Sequence, residues 1–118
     1  MRAKDAVGRY GENVAASFLA RAGWQVVDRN WRGPSGELDI VALQGTELVV
    51  VEVKTRSGDG FGHPAEAVTP AKLARLRRLA GQWLDAHDLH PSSVRIDVIA
   101  VRTAARGAAS VEHLIGVV

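Results

Sequence analysis

Apolar residues recur at helical spacing in two stretches of the chain. Between residues 5 and 22, Val14, Ala15, Phe18, Leu19 and Ala22 fall on one side of a helix, and Gly23 stands where a C-terminal cap belongs. The second stretch opens at Thr69-Pro70, an N-cap followed by a proline at the first helical position, and its stripe is Leu73, Leu76, Leu79, Ala80, Trp83 and Leu84. Strand patterns cover 24–31 (with Trp24, Val26 and Val27 as apolar members), 37–43, 47–55, 94–101 and 111–115. Arg32-Gly33-Pro34-Ser35-Gly36 is a turn, Gly45-Thr46 a tighter one, and 103–110 a loop. Residues 57–68, with Gly58, Gly60, Gly62 and Pro64, are expected to form a mobile loop. The order α-β-β-β-α-β-β implies an α/β fold, a mixed sheet with helices packed on it.

Composition changes this picture little. A length of 118 residues suits one domain, 1–118, and an apolar fraction of 47% is enough for one packed core. With no cysteine, disulfides, zinc-thiolate sites and thiol nucleophiles are excluded, and a reducing, cytoplasmic setting is expected. The start of the chain has no apolar run after its charges, so no signal peptide is expected. The longest apolar run, Leu48 to Val51, is too short to cross a membrane. Twelve of the fifteen cations are arginine, which suits phosphate recognition and equally suits a genome rich in arginine codons.

The candidate chemistry lies in Gly36-Glu37-Leu38-Asp39-Ile40 and Val51-Glu52-Val53-Lys54-Thr55. Strand side chains alternate faces, so Glu52 and Lys54 share one face, and Glu37 and Asp39 share one. A hairpin turning at Gly45-Thr46, glycine first as a type II′ turn prefers, pairs Gln44 with Glu47. That register sets Asp39 opposite Glu52 and Glu37 opposite Lys54. Two opposed carboxylates, about 4.5–5.5 Å apart at Cβ, repel and weaken a hairpin unless a cation sits between them. A hard divalent cation such as Mg2+ or Mn2+ takes carboxylates together with waters and substrate phosphates. It could polarise a phosphoryl oxygen and deprotonate water, with Lys54 beside it to orient that water or neutralise transition-state charge. The plainer alternative is a Glu37–Lys54 salt bridge with Asp39 and Glu52 facing water. Against it, Leu48-Val49-Val50-Val51-Glu52-Val53-Lys54 is apolar enough for an interior strand covered on both faces, where charges are rare.

An aspartate, twelve intervening residues and then Glu52-Val53-Lys54 on a hairpin resemble the PD-(D/E)xK nuclease superfamily, with Leu38 in place of the proline. Gly8 to Ala15, Gly36 to Val41, Val51 to Arg56 and Arg95 to Val98, in order and spacing, resemble the bacterial YraN-like family, itself similar to archaeal Holliday-junction resolvases. The resemblance runs from about residue 8 to about residue 102. It implies a restriction-endonuclease-like αβββαβ core, with Asp39 and Glu52 as metal ligands and Lys54 as the catalytic lysine. It further implies Glu12, from the first helix, as another catalytic acid and metal ligand. The implied activity is hydrolysis of phosphodiester bonds in DNA, branched or junction DNA included. A homodimer would let two such sites address two strands, and RNA stays open as a partner. Read from spacing alone, Glu12 shares a helix face with Ala15, Ala16 and Leu19 and is either an exposed boundary residue or a buried acid with a partner.

The remaining charges carry two readings each. Arg56 falls on the catalytic face by alternation and could reach a DNA phosphate, or it is a surface residue at a strand end. Lys72, Arg75 and Arg78 recur every third residue beside the leucine stripe and could track a phosphate backbone, or simply face solvent. Glu37 is read as a structural partner of Lys54, and Arg95 with Asp97 as a buried pair supporting the sheet. His63, His87, His90 and His113 form no metal-binding spacing, and no phosphate-binding loop or Ser-His-Asp arrangement is present. A domain of this fold and charge that binds nucleic acid without chemistry, alone or as a subunit of a larger complex, is the alternative to an enzyme.

Overall fold

The computed structural model describes residues 3–57, 66 and 68–117, with side chains from residue 6 onward. Among them the elements are α1 (Ala3–Arg21), β1 (Gln25–Gly33), β2 (Gly36–Gln44), β3 (Glu47–Ser57), α2 (Pro70–Ala86), β4 (Ser93–Thr103) and β5 (Ser110–Leu114). This is the order expected from the hydrophobic pattern. The strands lie in sequence order in one five-stranded sheet. β3 and β4 are parallel, with α2 as their crossover, and the other neighbours are antiparallel. The fold is an α/β mixed sheet compatible with an αβββαβ core of restriction-endonuclease type.

Local chemistry explains the element ends. Gly23 adopts φ +89°, its N–H donates to the Ala20 carbonyl (3.1 Å), and the Trp24 N–H donates to the Leu19 carbonyl (3.0 Å). This is a Schellman closure, and Trp24 then packs in the same core cluster as Leu19. Thr69 caps α2 by accepting from the Lys72 N–H at 3.1 Å, with Pro70 opening the first turn. Gly45 has φ +62° and Gln44 pairs with Glu47, as a glycine-first two-residue turn requires.

The two helices cover opposite faces of the sheet. Leu48 and Val50 join Leu73, Leu76, Leu79, Ala80 and Trp83 of α2. Val49 and Val51 join Ala15 and Leu19 of α1. β3 is therefore apolar at successive positions because both of its faces are buried. Each fully buried leucine or valine here contributes on the order of 1.5–3 kcal/mol relative to exposure.

Three expectations need correction or extension. β1 runs on to Gly33, so the turn before β2 shrinks to Pro34-Ser35. Glu37 does not serve Lys54; it follows the β1 register opposite Arg32 and pairs with that guanidinium at 3.4 Å. The glycine-rich loop, His63 included, falls outside the described residues over 58–65 and 67. The Arg95–Asp97 pair is present and is larger than expected. Asp97, with no exposed surface, accepts from Arg95 Nε (2.8 Å), Arg95 Nη2 (3.0 Å), His113 Nε2 (2.8 Å) and the Gly116 N–H (2.9 Å). Arg95 also reaches Glu47 at 2.7 Å and lies over the Trp24 ring. No helix among the described residues is long and apolar enough to cross a membrane.

Candidate functional site

The β2–β3 ladder ends at Ile40↔Val51, and Asp39 and Glu52 are the next residue on each strand. Backbone pairing gives way there to a side chain: the Val53 N–H donates to Asp39 Oδ2 at 2.9 Å. The carboxyl that replaces a ladder carbonyl is thereby fixed in place. Asp39 also shares a hydrogen bond with Glu52. Burial, then the Glu52 charge, then the Glu12 charge push Asp39 up to about 7, against the opposing pull of the Val53 N–H.

Glu52 is 7% exposed and leans on two ammonium groups through the same oxygen. Lys72 Nζ lies 2.5 Å from Oε2 and Lys54 Nζ 3.6 Å. Burial, and then the neighbouring Lys72 charge, lower the Lys54 pKa. Burial works on Lys72 in the same direction, but its contacts with Glu52 outweigh it and the net shift is upward.

Glu12 arrives from α1. The helix approaches β3 so closely at Gly11 that any Cβ there would run into Thr55 Oγ1. Glu12 follows directly. Asn30 hydrogen-bonds its carboxylate from β1, where φ +53° puts Asn30 in the left-handed region that asparagine tolerates. Asn30 lies between the pairs Arg29↔Ile40 and Trp31↔Leu38, across from Asp39. The second oxygen, Glu12 Oε1, is buried with no hydrogen-bond partner. Burial raises the Glu12 pKa, assisted by the charges of Glu37 and Glu52 and opposed by Asn30 and Arg29.

Glu12, Asp39, Glu52, Lys54 and Arg56 line one open cleft of about 570 Å³. The structure thus brings together the acids and the lysine picked from the sequence, and Arg56 with them. Lys72 was expected on a basic flank; it sits instead against Glu52, while Arg75 and Arg78 are exposed. Two contributors were not anticipated. Asn30 is signalled only by an asparagine in mid-strand, and Gly11 only by a glycine inside a helical pattern.

The donor set is oxygen-only and rich in negative charge, which suits a hard divalent cation. A partnerless buried carboxylate oxygen beside a carboxyl driven up to about 7 is what a cation would relieve. As the side chains stand, no three acidic or histidine groups among the described residues converge closely enough to hold a metal. Asp39 is engaged by the Val53 N–H, Glu12 by Asn30, and Glu52 by the two lysines.

A family model described as "Uncharacterised protein family UPF0102" matches residues 11–101. A UPF0102 protein of Beutenbergia cavernae is 64% identical over 99% of both chains. One from Kineococcus radiotolerans is 58% identical over 99% of this chain and 97% of its own. One from an Arthrobacter species is 55% identical over 99% of both. The chain belongs to the UPF0102 family.

Proposed function

We propose that this UPF0102 member is a metal-dependent endonuclease-like protein that hydrolyses phosphodiester bonds in DNA, branched or junction DNA included. The observation that carries the reading is the buried, partnerless Glu12 Oε1 in the same cleft as the mutually repelling Asp39–Glu52 pair. The resemblance of the Asp39 and Glu52-Val53-Lys54 blocks to YraN-like proteins and Holliday-junction resolvases supports the same assignment.

Asp39, Glu52 and Glu12 are the residues that would hold Mg2+ or Mn2+. Such a cation supplies Lewis-acid polarisation of a phosphoryl oxygen and a more acidic water. Asp39 is oriented for this by the Val53 N–H, and Glu12 by Asn30. Lys54, half-buried at the same cleft, neutralises charge on the phosphate or orients the attacking water. Arg56 binds a neighbouring phosphate from the cleft rim, and the exposed Arg75 and Arg78 track the backbone further out. The purified protein with Mg2+ or Mn2+ is expected to cut branched, single-stranded or duplex DNA. EDTA and Lys54→Ala should each abolish the cutting, and the absence of cleavage on all three substrates contradicts the reading.

One observation favours a second reading. Glu52 is already paired with two lysines, so the charge of that acid is compensated without a metal. A nucleic-acid-binding module, alone or within a larger DNA-processing complex, would show salt-sensitive DNA affinity indifferent to EDTA and to Asp39→Asn.

A further inference from the structure

Lys72 occupies an unfavourable place for a cation. It is the third residue of α2 after the Thr69 cap, where the helix dipole and the unpaired N–H groups favour negative charge. A capping box would put Glu or Gln at that position, and the first turn of α2 contains no acid. The side chain is only 20% exposed, and its ammonium lies 2.5 Å from a carboxylate whose side chain is 9% exposed. A buried charge in such a position persists only with a partner, and Glu52 is that partner. The motif lysine, Lys54, is the more distant of the two at 3.6 Å.

We propose that the Lys72 ammonium is the resident counter-ion of the acidic pair, and that a divalent cation loads the site by displacing it from Glu52. This rests on the metal-site reading above and adds a regulatory step to it. The contact holds Glu52 in place and offsets the Asp39–Glu52 repulsion in the metal-free protein. It also makes metal binding an exchange of one cation for another, so the site's metal affinity is weaker than its carboxylates alone would give.

The test is calorimetric titration of MnCl2 into the full chain and into Lys72→Gln and Lys72→Arg, with folding checked by circular dichroism. Lys72→Gln is expected to bind manganese about tenfold more tightly, because a close, half-buried competing charge is gone. Lys72→Arg, which keeps the cation, should stay near the parent affinity. Equal or weaker binding by a folded Lys72→Gln overturns the exchange and leaves the metal site standing. Binding by none of the three overturns both.

A second measurement needs no variant. The chain contains three lysines, Lys4, Lys54 and Lys72, so side-chain nitrogen resonances are assignable. Saturating MgCl2 should move the Lys72 ammonium signal towards that of a solvated lysine. A Lys72 signal unmoved while magnesium binds overturns the proposal.

Discussion

Lys72 on α2 lies closer to the Glu52 carboxylate than Lys54 does on Glu52's own strand, 2.5 Å against 3.6 Å. Two cations therefore share one acid, while Asp39 beside them is held by a backbone N–H and by Glu52 itself. The two carboxyls of the pair should respond oppositely to neutralisation.

Asp39→Asn should stabilise the metal-free protein at pH 8. Its folded pKa, about 7, lies above the ordinary 3.8, so the folded state binds the proton more tightly than the unfolded chain. Stability from this group is complete below about pH 4 and is lost as pH rises through 7. Asparagine removes the buried charge and still accepts from the Val53 N–H. A gain of about 1–3 kcal/mol at pH 8, vanishing near pH 4, is expected from thermal melts in EDTA. Glu52→Gln should instead lose about 1–3 kcal/mol in the same melts, because two half-buried ammonium groups lose their counter-charge.

Gly11→Ala replaces a poor helix former with a good one, yet should destabilise. The added Cβ meets Thr55 Oγ1, and α1 must move off β3. Denaturant titration should show a loss of about 1–3 kcal/mol, partly recovered by adding Thr55→Ala. Because Glu12 adjoins Gly11, manganese affinity should fall with it.

Arg95→Met should cost about 3–5 kcal/mol by leaving Asp97 buried with its main counter-charge removed. The network ties β4 to β5 and the following Gly116 and is distinct from the cleft residues. Manganese affinity of the folded variant, measured at low temperature, should match the parent.

Arg75 and Arg78 are exposed. If they track a phosphate backbone, the Arg75→Gln, Arg78→Gln pair should weaken DNA binding uniformly across sequences. The slope of log affinity against log salt should fall by about 1–2. An unchanged slope assigns them to solvent.

Much of this was legible along the chain, and the gaps have physical causes. The Gly45-Thr46 turn sets the β2–β3 register by local chemistry, so the placement of Asp39 and Glu52 at one level follows from counting. The apolar run of β3 betrays two covered faces because each face has period two. Counting failed for Glu37, since the ladder to β3 stops at Ile40 and Glu37 obeys β1 instead. It failed for Lys72 because helical spacing gives a residue's flank, not where the helix crosses the sheet. Asn30 and His113 act only through partners distant in sequence, Glu12 and Asp97, which no local pattern connects.

If Asp39 and Glu52 form a divalent-metal centre for phosphodiester hydrolysis, metal binding and cleavage both depend on them. Calorimetric titration of manganese into the parent protein and into the Asp39→Asn, Glu52→Gln double variant, followed by DNA cleavage with the same samples, tests this dependence most directly. A single binding event in the parent is expected to be lost in the double variant, with cleavage lost alongside it. Manganese heats absent from both, or cleavage that survives the double substitution, would contradict the metal centre.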